Sequence, residues 1–128
     1  MEEVLVDTDI IIDFLRGHRA RLKTFFVRVQ ERQIKPLISL ISIVELYSGK
    51  EVAERKRKEF LEKVLSYFQI IPPNLAIAKK AGELRREYSL GIVDALIAAT
   101  CLSQKMSLFT FNQKHFQKIE KIKFYEIQ

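Results

Sequence analysis

Aspartate is scarce in this 128-residue chain, and its placement is the strongest chemical signal in the sequence. Of the four aspartates, Asp7, Asp9 and Asp13 lie within seven residues, and Asp94 opens the apolar run 95–99. Aspartate holds its carboxylate close to the backbone, which suits a group that must be positioned rather than merely solvated. A chain with a net charge of +6 that places its few aspartates inside apolar segments is expected to bind a cation with them.

Short apolar segments alternate with helical patterns along the chain, as in α/β proteins. Strands are predicted at residues 3–6, 36–40, 68–71, 107–110 and 124–127. Helices are predicted from the end of the first strand to Arg16, at 20–33, from 42–47 to Gly49, and at 51–67, 74–88, 92–104 and 113–116. These elements predict one domain, residues 1–128, with a three-layer α/β/α fold. Its central, mostly parallel sheet would contain four to five short strands covered on both faces.

Polar side chains follow the ends of three predicted strands. Asp7 follows the first strand, Glu45 lies a few residues after the second, and Thr110 and Asn112 close the fourth. The helix that begins near Asp94 is expected to start at the same edge of the sheet, where open parallel sheets bind their ligands. Clustered hard oxygens suit Mg²⁺ or Mn²⁺. Such a site is able to activate water and to stabilise a phosphoryl transition state.

Helix capping is an alternative explanation for most of these residues. Asp7 or Thr8 would serve as the N-cap of the first helix, Asn112 is a good N-cap residue, and Asp94 would either cap its helix or favour the helix dipole. Ser42 and Glu45 have the spacing of a capping box, in which Glu45 reaches back to the Ser42 amide. Taken singly these signals are weak, so the metal-site prediction depends on their joint arrangement.

The remaining reactive residue types are expected to have ordinary roles. Asp13 has the spacing of a surface ion pair with Arg16. His18 and His115 are predicted to be surface residues, and the single cysteine, Cys101, is predicted to be a core residue. One cysteine and two dispersed histidines also argue against a zinc site, which usually needs about four clustered ligands.

The positive charge favours an anionic partner, most commonly nucleic acid. The first residues show no basic stretch typical of a secretory signal, and no apolar run reaches the roughly 20 residues of a membrane-spanning helix. The expected location is the cytoplasm, without membrane association.

Four segments of the chain together resemble PIN-domain proteins, most closely VapC-type toxins. The first is Val4-Leu5-Val6-Asp7-Thr8-Asp9 running into residues 12–17. The others are residues 41–46 around Glu45, residues 93–100 beginning Val93-Asp94, and Leu108-Phe109-Thr110-Phe111-Asn112 leading to His115-Phe116. Each segment is modestly specific, but all four in this order are strongly so, and they cover essentially the whole chain.

This resemblance implies a metal-dependent ribonuclease that leaves a 5′-phosphate. Asp7, Glu45 and Asp94 match the acidic residues that bind the divalent metal, and Thr110 matches a supporting hydroxyl. Asn112 stands where many family members carry a fourth acid, which leaves a second metal ion in question. Asp9 is an auxiliary carboxylate able to restore the missing charge.

The resemblance also implies protein partners, namely a small antitoxin and a second copy of the chain in a homodimer. RNA would be recruited by basic residues around the acids, since bare carboxylates repel it. The candidates are Arg16, Arg55, Lys56, Arg85 and Arg86, with the rest of the run 55–58. A solvated helix face is the alternative explanation for these runs.

Two other functions remain open on sequence alone. In the first, Asp7-Thr8-Asp9 after an apolar strand resembles the motif of haloacid-dehalogenase-type phosphatases, with Asp7 as nucleophile and Asp9 as acid and base. In the second, the chain is a non-catalytic module that binds RNA or protein, and the acids are only helix caps.

Overall fold

The central sheet, within the described part of the chain, is built from five parallel strands. The computed structural model describes residues 1–127 and has the strand order β3-β2-β1-β4-β5. The strands are β1 (Glu2–Val6), β2 (Ile34–Ser39), β3 (Gln69–Ile71), β4 (Ser107–Phe109) and β5 (Lys123–Phe124). Every adjacent pair is parallel, so each connection must cross over the sheet. The predicted three-layer α/β/α fold is confirmed.

Within residues 1–127, six helices form the outer layers. They are α1 (Thr8–Leu15), α2 (Arg19–Gln30), α3 (Leu40–Ser48), α4 (Arg55–Leu65), α5 (Leu75–Tyr88) and α6 (Ile92–Gln104). Short 3-10 turns lie at Lys50–Ala53 and Gln113–His115. No helix among residues 1–127 is long and apolar enough to cross a membrane.

Successive side chains of β1 point to opposite faces of the sheet, and each face has its own hydrophobic core. Val4 and Val6 point to one side, where they join residues of α1, α2 and α4. Leu5 points to the other side and packs with α5 and α6. All three are fully buried, because β1 is the middle strand and both of its faces are covered. The end of β1 is therefore held rigidly at the centre of the sheet.

Several predicted element boundaries are wrong. The second helix ends at Gln30 rather than at residue 33, because Arg32 adopts a left-handed conformation (φ 60°) and the Gln33 amide turns back to the Arg28 carbonyl. The predicted helix at 51–67 is a 3-10 turn followed by α4. The second strand spans 34–39 instead of 36–40, and α3 begins at Leu40. The fifth strand is Lys123–Phe124 rather than 124–127.

The cap of α5 yields a prediction about stability. Asn74 precedes this helix, and its side-chain oxygen accepts a hydrogen bond of 2.8 Å from the amide of Ile77. Asn74→Ala removes the acceptor, so we expect the free energy of unfolding to fall by about 1 kcal/mol. Urea unfolding of this variant beside Asn74→Ser, which keeps a capping oxygen, provides the measurement. Equal stability of the alanine variant and the original chain would contradict this role of the cap.

Candidate active site

Asp7 is the buried carboxylate at the end of the central strand. Its side chain caps α1, with Oδ1 accepting 2.8 Å from the amide of Thr8. Its Oδ2 accepts 2.8 Å from the hydroxyl of Thr110, which follows β4, the neighbour of β1 in the sheet. Asp7 is thus an N-cap, as one alternative predicted, and also a link between two strand ends.

Asp9 lies beside this pair and is held by the segment after β4. Its Oδ2 accepts 3.0 Å from the amide of Phe111 and 3.0 Å from the side-chain nitrogen of Asn112. Its Oδ1 is buried and has no hydrogen-bond partner among residues 1–127. Asn112 does precede a 3-10 turn, but its side chain makes no capping bond there. The capping explanation of Asn112 is therefore wrong, because its amide is used to hold Asp9.

Glu45 reaches the same region from α3. The hydroxyl of Thr8 donates to its Oε1 at 2.6 Å, across 37 positions of sequence. The predicted capping box does not form, because the cap of α3 is Ser39, three residues before Ser42. Ser42 therefore lies inside the helix, and Glu45 is available for a contact outside it.

Asp94 enters the site from the first turn of α6. The cap residue of that helix is Gly91, and Asp94 lies in the first turn, so Asp94 does not cap the helix. Its Oδ2 lies 3.2 Å from Nδ1 of His115, which was predicted to be an ordinary surface residue. The fully buried Phe116 anchors the chain beside this histidine. His115 is exposed, as predicted, but its contact with Asp94 was not predicted from the sequence.

These side chains line one open cavity of about 370 Å³ at the carboxyl ends of the strands. The three carboxylates predicted to bind the metal, those of Asp7, Glu45 and Asp94, line this cavity. The cavity is also lined by Thr8, Asp9, Asn112 and His115. Thr110 contacts Asp7 and Asp9 from the segment behind them. A site formed from β1, α1, α3, α6 and the segment after β4 is where open parallel sheets bind ligands.

Without a bound cation, the charged forms of the aspartates in this cavity are unfavourable. Burial, together with the nearby carboxylates of Asp9 and Asp94, raises the pKa of Asp7 to about 7 against the opposing hydrogen bonds from Thr110 and Thr8. Burial also raises the pKa of Asp9. Closely spaced carboxylates repel one another and retain protons until a positive charge compensates them.

A divalent cation fits this set of residues by chemistry and by charge. Carboxylate oxygens are the preferred ligands of Mg²⁺ and Mn²⁺, and the unpartnered Oδ1 of Asp9 is a buried oxygen still lacking a donor. Among the described residues 1–127, no group of three or more aspartate, glutamate, histidine or cysteine side chains is already arranged to hold a metal ion. Thr8 already forms a hydrogen bond to Glu45. The segment after β4 does the same to Asp9. Within residues 1–127, each of these two carboxylates keeps a second oxygen without a hydrogen bond, which is available to a cation.

The family of the chain follows from a match over most of its length. A family model described as PIN domain matches residues 4–122, which include every acidic residue of the cavity. The chain belongs to the PIN-domain family. Family membership agrees with the resemblance read from the four segments and gives the phosphatase alternative no support.

Individual relatives of this PIN domain agree with that result. It is 36% identical over 126 residues to Ribonuclease VapC10 of Mycobacterium tuberculosis, an alignment that covers 94% of this chain and 90% of the relative. A toxin-antitoxin complex from Klebsiella pneumoniae contains a chain with 33% identity and a TM-score of 0.78, covering 97% of this chain and 99% of that one. The DNA-bound VapBC from Salmonella typhimurium has a TM-score of 0.84 over the full length of both chains, but at 21% identity this likeness concerns the fold alone.

Three of the five basic residues predicted to recruit RNA already bind other groups of the chain. Arg16 forms an ion pair of 2.8 Å with Glu51, and Arg55 one of 3.1 Å with Glu59. Arg85 donates 3.2 Å to the carbonyl of Leu90, next to Gly91 at the cavity. Within residues 1–127, Lys56 and Arg86 form no ion pair.

Asp13 stands apart from the other aspartates of its segment. It lies 2.7 Å from Nδ1 of His18 and 3.9 Å from Arg21, and it does not line the cavity. The predicted pair with Arg16 is wrong, because Arg16 follows the last turn of α1 and reaches Glu51 instead. This separation makes Asp13 a useful control for substitutions of the cavity aspartates.

Proposed function

We propose that this PIN domain is a divalent-metal-dependent endoribonuclease, the toxin of a VapBC-type toxin–antitoxin pair. The observation that carries the proposal is the placement of Asp7, Glu45 and Asp94 around one open cavity. The names of the relatives support it, since one is a ribonuclease and another belongs to a toxin–antitoxin complex. We take the catalytic unit to be the whole of residues 1–128.

Each carboxylate has a proposed part in this reaction. Asp7, buried and fixed by Thr8 and Thr110, would hold the cation together with Asp94, and Glu45 would complete the set directly or through water. Asp9 would add negative charge on the side where Asn112 carries none. Mg²⁺ or Mn²⁺ in such a site supplies an activated water and neutralises charge on the departing oxygen. The residues of the chain supply position, burial and the orientation of the phosphodiester.

RNA must approach a cavity whose own walls are acidic. Arg85 lies beside the loop that leads to the cavity, which makes it the best placed of the basic candidates. Lys56 and Arg86, free of ion pairs within residues 1–127, would provide further phosphate contacts. Arg16 and Arg55 would have to exchange Glu51 and Glu59 for phosphate.

A small antitoxin and a homodimer are the proposed protein partners, and the cytoplasm is the proposed location. The likeness of this chain to one from the Klebsiella pneumoniae toxin-antitoxin complex supports the antitoxin partner. The predicted homodimer rests on the resemblance to VapC-type toxins alone.

Removal of divalent cations tests the proposed activity. The purified chain is expected to cleave structured RNAs, including transfer RNA, with Mg²⁺ or Mn²⁺ and to stop in EDTA, since repelling carboxylates alone have no means of activating water. Electrophoresis of end-labelled RNA measures the products and their 5′-phosphates. Asp13→Asn should cleave like the original chain, because Asp13 contacts His18 outside the cavity. Undiminished cleavage in EDTA would contradict the metal-dependent mechanism.

A further inference from the structure

Thr8 is a buried residue in the lining of the cavity. Only 6% of it is exposed, and its hydroxyl donates to Oε1 of Glu45 at 2.6 Å. We propose that Thr8 is a positioning residue, which holds the carboxylate of Glu45 in the cavity. This inference rests on the proposed ribonuclease function.

The hydroxyl of Thr8 is free for this contact because capping of α1 is done by another residue. At the start of a helix a threonine hydroxyl often serves the local backbone. Here Asp7 is the cap, and it accepts the hydrogen bond of the Thr8 amide itself. The Thr8 side chain is therefore directed away from its own helix and toward α3, which packs against α1.

Glu45 depends on such a contact more than the aspartates do. Glutamate has three side-chain torsions, and Glu45 is exposed on the surface of α3, so a specific bond is needed to hold one rotamer. By contrast, Asp7 is buried and held on both oxygens. A short hydrogen bond to an ionised oxygen is among the stronger bonds of its kind. Thr8 thus joins the carboxylate of α3 to the end of the central strand.

The side chain of threonine offers a matched pair of substitutions. Thr8→Val keeps the shape and removes the hydroxyl, whereas Thr8→Ser keeps the hydroxyl and removes a methyl group. We expect the valine variant to lower kcat about tenfold with KM little changed, because Glu45 then samples other rotamers. The serine variant is expected to stay within about twofold of the original chain. Thr8→Ala is a second variant without the hydroxyl, and it should behave like the valine variant.

A double substitution shows whether Thr8 acts through Glu45. Adding Thr8→Val to Glu45→Ala should cause no further loss beyond that of Glu45→Ala, since residues that act through one contact are not additive. Thermal unfolding of each variant separates this effect from loss of the fold. A further loss in the double variant would overturn the proposal, as would a serine variant as impaired as the valine variant.

A measurement without metal or RNA distinguishes this proposal from the function on which it rests. The carbon-13 resonance of the Glu45 carboxylate, assigned by its absence in Glu45→Gln, should shift in Thr8→Val and stay in place in Thr8→Ser. An unmoved resonance in the valine variant would overturn the positioning role. Absence of RNA cleavage by the original chain, with the resonance shifted as expected, would overturn the ribonuclease proposal and leave the contact established.

Discussion

Asp7→Asn is expected to abolish cleavage of RNA while making the metal-free protein more stable at pH 8. The expected loss of kcat is on the order of 10³-fold or more, as for other residues central to a reaction. The gain in stability has a different cause, namely the burial that raises the pKa of Asp7 to about 7. Asparagine keeps the side-chain oxygen that caps α1 but carries no charge.

The direction of this stability change follows from proton linkage. The unfolded chain releases the Asp7 proton near pH 4, whereas the folded chain keeps it until about pH 7. Between these values the folded state binds more protons, so the metal-free protein loses stability as the pH rises through this window. Above pH 7 the ionised carboxylate destabilises the folded state fully, on the order of 4 kcal/mol, and Asp7→Asn avoids that cost.

Urea unfolding in EDTA at pH 4 and at pH 8 measures this difference. The two proteins should have similar stability at pH 4, and the asparagine variant should be the more stable at pH 8. Adding Mn²⁺ at pH 8 should stabilise the original chain more than the variant, since binding to the folded state alone raises stability. Asp13→Asn is the matched control and should show no such gain. A variant less stable than the original chain in EDTA at pH 8 would contradict the destabilising effect of the buried Asp7 charge.

RNA binding is expected to depend steeply on salt. If all five basic candidates contact phosphate, affinity for single-stranded RNA should fall about 100-fold between 50 and 200 mM salt, because each contact releases counterions. Arg85→Ala should reduce the slope of log affinity against log salt by about 0.7. Fluorescence anisotropy with the inactive Asp7→Asn variant in EDTA measures binding without cleavage. A salt-independent affinity would contradict recruitment by charge.

The sequence was sufficient to predict which strand ends carry the acids. The apolar run before Asp7 and the polar residues after the later strands indicate buried parallel strands, and such strands place their carboxyl ends together. The β3-β2-β1-β4-β5 order is consistent with that prediction. The catalytic roles of the acids remain predictions.

Side-chain partners could not be read from the sequence because they join distant segments. Thr8 and Glu45 are 37 positions apart, and His115 meets Asp94 from a separate turn. Local spacing predicted an ion pair between Asp13 and Arg16 and a capping box at Ser42. Neither forms in the folded chain. The helix end near Arg32 was equally hidden, because a left-handed residue other than glycine leaves no clear mark in the sequence.

The hydrogen bond between Asp7 and Thr110 has a consequence for how the protein is made. It spans 103 positions and joins strands that are neighbours in the sheet, so the two halves of the cavity come from opposite parts of the chain. During synthesis the first strand emerges long before α6 and β4, the elements that complete its surroundings. A nascent chain that stops before residue 94 holds Asp7 and Glu45 but lacks Asp94, Thr110 and His115. Interrupted translation therefore yields fragments without the assembled cavity.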